Sequence, residues 1–212
     1  FHATANMCEL LKAAGYTRLY EGEKWNLEAG CGYYVTRNDS ALIAFRIPKQ
    51  DFTGFQIMAS HSDSPTFKIK ENPEMEAAGC IKLNVEKYGG MICAPWFDRP
   101  LSIAGRLVVS EGSRLVSKLV NVDRDLVMIP NLAIHMNRQV NDGYAYNAQK
   151  DMLPVFGSME AKGTFMSLIA KAAGVKEEDI LGHDLFLYNR QPGTIWGADE
   201  TFLSCGRLDD LQ

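Results

Sequence analysis

The chain has 212 residues, 46% of them hydrophobic and 23% charged, and a formal net charge of -4. These values are typical of a globular protein that buries a core. The mildly acidic balance and the lack of a long basic run argue against a nucleic-acid-binding surface. We also expect no membrane association, because no run approaches the roughly 18 apolar residues of a spanning helix and the first residues lack a signal-peptide pattern.

Cysteine usage indicates the cellular compartment. The chain has five cysteines, an odd number, and they are widely spaced with no CxxC pair. This pattern argues against a disulfide framework or a structural zinc site. The cysteines are Cys8, Cys31, Cys80, Cys93 and Cys205. We interpret them as buried free thiols and predict a cytoplasmic protein, because the cytosol keeps thiols reduced.

The segments up to residue 65 predict a helix and then strands. Apolar residues recur at helical spacing before Gly15, which is a suitable C-terminal stop, and the later runs are short and apolar. In chain order, we predict a helix at 3–14, paired strands at 33–36 and 40–47 around a turn at 37–39, and a buried strand at 55–60.

From residue 66 to about 202, short β-like runs punctuated by glycine and proline dominate. An amphipathic helix closed by Gly174 and one short helical turn interrupt them. We predict strands at 81–85, 101–110, 117–122, 125–129 and 184–188, the helix at 163–173 and the turn at 176–180. The pattern indicates a β-rich module with a covering helix, and a last strand is predicted from residue 203.

The first candidate for chemistry is His61, which follows the strand predicted at 55–60. A neutral imidazole is a common zinc ligand, and active sites of open α/β sheets gather at the carboxyl ends of strands. Asp63, two residues further on, could accept the other ring N–H and so fix the tautomer that a metal ligand needs. By spacing alone, an Asp63 that merely caps a turn explains the pattern at least as well.

The second candidate is the pair Asp209 and Asp210, at a strand-to-loop junction. Adjacent carboxylates repel each other unless a cation lies nearby, and one carboxylate can bridge two metal ions about 3.5–4 Å apart. The alternative is that one of the two residues caps a following helix. Both interpretations can hold together, with Asp209 on the metal and Asp210 as the cap.

Separated motifs along the chain resemble those of the aspartyl aminopeptidase family, in the order that the family has them. One is the string Ala59-Ser60-His61-Ser62-Asp63-Ser64-Pro65. The others are Glu23-Lys24-Trp25-Asn26, Thr36-Arg37-Asn38, Tyr88-Gly89-Gly90, Trp96-Phe97-Asp98-Arg99, residues 129–135, Gln191-Pro192 and Arg207-Leu208-Asp209. Because the matches extend over essentially the whole chain, coincidence does not explain them.

The resemblance implies an α/β fold with two domains. A zinc-peptidase-like α/β/α catalytic domain with a mixed sheet, only partly present, would be interrupted by a β-rich dimerisation-type domain. We therefore predict a first part of the catalytic domain at 1–65, the inserted domain at 66–202 and a return to the catalytic domain at 203–212. Members of the family assemble from dimers into dodecamers, which predicts a homo-oligomer here.

The resemblance also implies the roles of four residues. The histidine matching His61 ligates one of two zinc ions, the carboxylate matching Asp209 bridges both ions, and the acid matching Asp63 orients the histidine. Cobalt or manganese could replace zinc at such ligands. The histidine matching His135 lies close to substrate, and the alternative is a hydrogen-bonded structural histidine on an apolar strand or helix. The family has Asn where this chain has Asp210, which is a mild departure.

Three further groups are interpreted as lying outside the site. Segment 96–99 predicts an aromatic core anchor beside an ion pair. Glu177 and Glu178 predict a solvated charge run. We expect His183 to be a surface turn residue.

The predicted function is that of a metal-dependent aminopeptidase that removes N-terminal acidic or neutral residues from peptides with metal-activated water. The family's general base, the first Glu of a Glu-Glu pair, follows the segment of Asp209, as do a further Asp and a further His. We expect these residues beyond Gln212 and expect the 212 residues alone to be inactive. The alternative is a non-catalytic fragment that acts only in subunit assembly, and a different dinuclear hydrolase, such as a deacylase, fits the motifs less well.

Overall fold

The computed structural model describes residues 1–206 and is mixed α/β, as predicted. The described residues form two compact units, 1–63 and 64–206. No helix within these residues is long and apolar enough to cross a membrane. The helices and strands are α1 (His2–Ala13), β1 (Thr17–Arg18), β2 (Gly32–Arg37), β3 (Ala41–Arg46), β4 (Thr66–Ala77), β5 (Cys80–Tyr88), β6 (Leu101–Glu111), β7 (Arg114–Asn121), β8 (Val155–Ser158), α2 (Phe165–Ala173), β9 (Ile180–Asn189), β10 (Thr194–Trp196) and β11 (Phe202–Ser204).

The first unit consists of α1 and a three-stranded sheet in the order β1-β2-β3. Strand β1 pairs with β2 in parallel, and β2 and β3 form an antiparallel hairpin. Asn38 and Asp39 occupy the hairpin turn with φ values of 53° and 55°. These residue types suit the turn because they tolerate left-handed backbone. The predicted helix and hairpin are therefore confirmed.

The strand predicted at residues 55–60 is wrong. This segment has no regular secondary structure, and Phe55, Ile57 and Met58 are 83%, 81% and 95% exposed. A strand forms only where a neighbour supplies partners for its backbone N–H and C=O groups. Within the described part of the first unit, β1, β2 and β3 pair only with one another. His61 therefore follows an exposed irregular segment and not a strand end.

The second unit is built on a six-stranded antiparallel sheet in the order β7-β6-β9-β4-β5-β8. Alternate residues of its strands face one side, where Phe67, Leu107 and Leu185 are fully buried. Helix α2 contributes the fully buried Phe165 and Ile169 to the same core. The β-rich module with a covering helix is thus present.

Several strands of this sheet match their predictions, and others were missed. Strands β5, β6, β7 and β9 lie where the sequence predicted strands, whereas 125–129 forms only isolated bridges. Strand β4 was missed because charged residues alternate along it and Pro73 interrupts it, a composition that disfavours strands. The ladder between β4 and β5 shifts register between Ile69 and Glu74, which accommodates the proline.

Glu74 links β4 to the start of α2. Its carboxylate accepts the backbone N–H groups of Gly163 at 2.6 Å and of Phe165 at 2.9 Å. The first N–H groups of a helix have no partner inside the helix, and a negative charge also suits the positive end of the helix dipole. Gly174 ends α2 with a φ of 66°, which is the left-handed cap that the sequence predicted.

Asp184 joins three neighbouring strands of the sheet. From β9, its carboxylate contacts Lys68 Nζ on β4 at 3.0 Å and Arg106 Nη2 on β6 at 2.7 Å. Burial raises the pKa of this carboxyl, but the hydrogen bonds from Arg106 and Lys68 outweigh burial, and the pKa lies below its ordinary value. The ionised form of Asp184 is therefore the form that stabilises the fold.

We predict that Asp184→Asn lowers the free energy of unfolding by about 1–2 kcal/mol at about pH 7. A carboxyl with a lowered pKa stabilises the fold above its unfolded pKa of about 3.9, and it loses that contribution as the pH falls through the folded pKa. The difference between wild type and variant should therefore narrow at about pH 3 in urea denaturation. Asp125→Asn, which removes a more exposed partner of Arg190, is the control and should cost less than about 1 kcal/mol. A difference that is independent of pH would contradict the prediction.

Candidate metal centre

The candidate centre begins with His61, in the irregular segment that ends the first unit. Nδ1 of His61 lies 2.8 Å from the backbone oxygen of Asp63 and 3.1 Å from Oδ1 of the same residue. A carbonyl and a carboxylate only accept hydrogen bonds, so Nδ1 carries the proton. In a neutral imidazole, Nε2 then carries the lone pair that a metal ion needs.

The β2–β3 hairpin supports this segment. Ser62 Oγ donates a hydrogen bond of 3.2 Å to the backbone oxygen of Ser40, which lies in the hairpin turn. The side chains of His61 and Asp63 remain 30% and 53% exposed. The imidazole is therefore only partly buried, and Asp63 holds its orientation. This is the geometry that the hypothesis of an orienting carboxylate requires, and the role of His61 as a metal ligand stays a prediction.

The donor chemistry of this pair fits zinc, since an imidazole nitrogen with an orienting carboxylate is a common arrangement at zinc sites. Within residues 1–206, however, no group of three or more His, Cys, Asp or Glu side chains could hold a metal ion. The predicted bridging residue Asp209 and its neighbour Asp210 lie outside the described residues. The described residues therefore contribute one candidate ligand and the acid that orients it.

His135 belongs to the second unit, where it lies in an exposed turn. The turn is closed by a hydrogen bond of 2.8 Å from the N–H of Met136 to the oxygen of Ala133. Leu132, Ile134 and Met136 around it are 58%, 46% and 75% exposed. His135 is on neither a strand nor a helix, which was the structural alternative. Exposed apolar side chains on both sides of an imidazole suit contact with another molecule, and the role near substrate stays a prediction.

Segment 96–99 lies between β5 and β6. Its two aromatic residues pack against the core of the second unit, as predicted. The predicted ion pair is wrong, because Asp98 accepts the N–H of Asn131 at 2.9 Å and Arg99 donates to Oε1 of Gln191. No sequence pattern pointed to the contact between Asp98 and Asn131, which lie 33 positions apart.

The prediction of a surface turn at His183 is also wrong. His183 lies within β9, and its side chain is only 4% exposed. It shares a face of the strand with the buried Leu185 and Leu187. Gly182, His183 and Asp184 separate the first residues of β9, Ile180 and Leu181, from its later apolar run, and this concealed the beginning of the strand in the sequence. Glu177 and Glu178 are exposed, as predicted.

Comparisons with known proteins decide the family. The family model for the aminopeptidase I zinc metalloproteases (M18) matches residues 1–212. The chain belongs to the M18 family. It is similar to a probable M18 family aminopeptidase 2 of Clostridium novyi, with 45% identity over 221 residues. That match covers 100% of this chain and 51% of the relative, so the chain spans about half the length of the curated relatives it matches.

Solved M18 structures share the fold. The mApe1 structure from Chaetomium thermophilum matches with a TM-score of 0.89 and 29% identity, over 99% of this chain and 52% of that chain. The dodecamer of mApe1 from S. cerevisiae matches with a TM-score of 0.75 and 26% identity, over 95% of this chain and 47% of that chain. The predicted fold class is therefore confirmed as that of M18 aminopeptidase domains.

Proposed function

We propose that this chain is part of a metal-dependent aminopeptidase that hydrolyses the first peptide bond of peptides with a free N-terminus and releases acidic or neutral residues. The observation that carries the proposal is the contact between His61 Nδ1 and Asp63, in a chain that belongs to the M18 family. That contact keeps the proton on Nδ1, so that Nε2 of His61 would be the atom that holds a metal ion, as a zinc peptidase requires.

In this proposal, His61 and Asp209 hold zinc, at two ions per complete site, and cobalt or manganese are acceptable substitutes. When bound, the metal would activate a water molecule and polarise the scissile carbonyl. Asp63 keeps the proton on Nδ1 of His61, and so keeps Nε2 basic. His135 contacts the peptide substrate. We assign the general base and the remaining metal ligands to the part of the full-length protein that this chain does not span. We expect the 212 residues alone to be inactive.

We further propose that the two units have separate tasks. The first unit forms part of the catalytic domain, and the second is an inserted domain for subunit assembly, which builds dimers and then a dodecamer. The similarity to mApe1 of S. cerevisiae, whose structure is a dodecamer, supports this assignment. No nucleic acid or membrane partner is part of the proposal.

The cysteines support a cytoplasmic location. All five are free thiols, as a reducing compartment favours. They are less buried than we expected, because four are half-buried and Cys205 is exposed. An exposed thiol persists most easily where glutathione keeps it reduced.

The deciding experiment measures zinc content and the hydrolysis of aspartyl and leucyl anilides by the full-length protein. We expect zinc to copurify, at least one anilide to be cleaved, and cleavage to stop after chelation and return with added zinc. The 212-residue chain alone should be inactive. A full-length protein that binds two metal ions per subunit and leaves both anilides intact would refute the proposal and favour a role in assembly alone.

A further inference from the structure

The segment that carries His135 leaves the core of the second unit beside Asp98. Ile129 is fully buried and forms a parallel bridge with Phe97. The N–H of Asp98 donates to the oxygen of Ile129 at 3.0 Å, and Oδ1 of Asp98 accepts the N–H of Asn131 at 2.9 Å. Asp98 therefore binds the chain on both sides of the point where it becomes exposed.

The backbone of Asp98 narrows the choice of residue at this position. Its φ of 57° is in the left-handed region, which Asp and Asn adopt more readily than other side chains do. Asp and Asn also carry a short side chain with an oxygen that can accept a backbone N–H. The conformation and the hydrogen bond to Asn131 thus call for the same two residue types.

The far end of the exposed segment is held separately. Asp151 accepts the N–H of Asn147 at 2.7 Å and the hydroxyl of Tyr144 at 3.2 Å, and the next residue, Met152, is fully buried. Of the two attachments, the one at Asn131 is much nearer to His135 in the chain. Asp98 therefore supplies the nearer of these two attachments to His135.

We propose that Asp98 is a positioning residue, whose carboxylate fixes segment 129–136 where it leaves the core and so places His135 for its substrate. The inference rests on the proposed function for the role of His135. The attachment of the segment to Asp98 can be tested without that function.

Two variants separate the hydrogen bond from the backbone conformation. Asp98→Gly tolerates a positive φ but removes the acceptor, whereas Asp98→Asn keeps both the conformation and an accepting oxygen. Asp123→Gly is the matched control, because Asp123 is another exposed aspartate with a positive φ, of 49°, in the same unit. Asp98 is exposed, so its variants should fold.

The first measurement is hydrogen exchange of the Asn131 amide, followed by NMR on the 15N-labelled full-length protein. Asp98→Gly should speed this exchange by about tenfold or more, because it removes a hydrogen bond to a charged acceptor. Asp98→Asn should restore most of the protection, and Asp123→Gly should leave it unchanged. Exchange at Asn131 that is equal in wild type and Asp98→Gly would overturn the inference.

The second measurement is a double-mutant cycle on kcat/KM in the full-length enzyme. Asp98→Gly should lower kcat/KM by about tenfold, and Asp98→Asn should restore it to within about threefold. In the His135→Ala background, Asp98→Gly should cause no further loss, because it acts through the residue already removed. Independent, multiplicative losses would overturn the positioning role. If the wild-type enzyme cleaves no anilide, the proposed function fails while the exchange experiment still decides the attachment.

Discussion

Gly105→Ala should prevent folding of the second unit or lower its free energy of unfolding by about 3 kcal/mol or more. A Cβ at Gly105 would press against the backbone oxygen of Asp184 and lie 2.9 Å from Cα of Leu185. Both are main-chain atoms of β9, so no change of rotamer relieves the overlap. Strands β6 and β9 would have to separate next to Leu107 and Leu185, which are fully buried.

Gly182→Ala is the matched control for this prediction. Gly182 also lies in β9, but no described atom would lie within 4 Å of its new Cβ. We expect its effect to be within about 0.5 kcal/mol. Urea denaturation and the yield of soluble protein compare the two variants. Equal stability of Gly105→Ala and Gly182→Ala would show that β6 and β9 do not approach each other as closely as described.

His61→Ala in the full-length protein should remove at least one of the two expected zinc ions and almost all aminopeptidase activity. The variant deletes the imidazole that Asp63 orients and that we propose as a metal ligand. Residues that orient a metal ligand typically strengthen metal binding by about 10- to 100-fold. For Asp63→Ala we expect a loss of zinc affinity near the lower end of this range. The reason is that the backbone oxygen of Asp63 also accepts the Nδ1 proton, at 2.8 Å, and this contact survives the substitution. Elemental analysis of the purified variants measures the zinc content.

His135→Ala is the control that separates a metal ligand from a substrate contact. It should keep both zinc ions and lose activity, since His135 is proposed to contact the peptide and not the metal. An unchanged zinc content in His61→Ala would contradict the ligand assignment. Loss of zinc in His135→Ala would contradict the division of roles between the two histidines.

Local signals were sufficient for much of the fold. Helix α1, helix α2 and the β2–β3 hairpin were predicted because helical spacing, the stops at Gly15 and Gly174 and the polar turn at Asn38 act over a few residues. The orientation of His61 is local too, since Asp63 is only two residues away. The family motifs along the chain then identified the family, which these local patterns left open.

Strands were predicted less well, because a strand is stabilised by partners that are distant in sequence. Residues 55–60 are as apolar as a buried strand, yet within the described residues they form none. Strand β4 has an unfavourable composition, yet it forms between β9 and β5. His183 is polar, yet its place in β9 leaves its side chain only 4% exposed.

The sequence by itself determined the family, the helices and the hairpin, because each depends on neighbouring residues or on recognisable motifs. It offered the pairing of His61 with Asp63 as one of two alternatives, and the contact between them decided for the pairing. Only the tertiary structure showed that Asp98 binds Asn131, close in the chain to His135, and that Gly105 lies against the backbone of β9. Asp98 meets Asn131 across 33 positions, and Gly105 meets Asp184 across a strand pair. Such contacts are set by how strands pack side by side, and a linear pattern carries no signal of that packing.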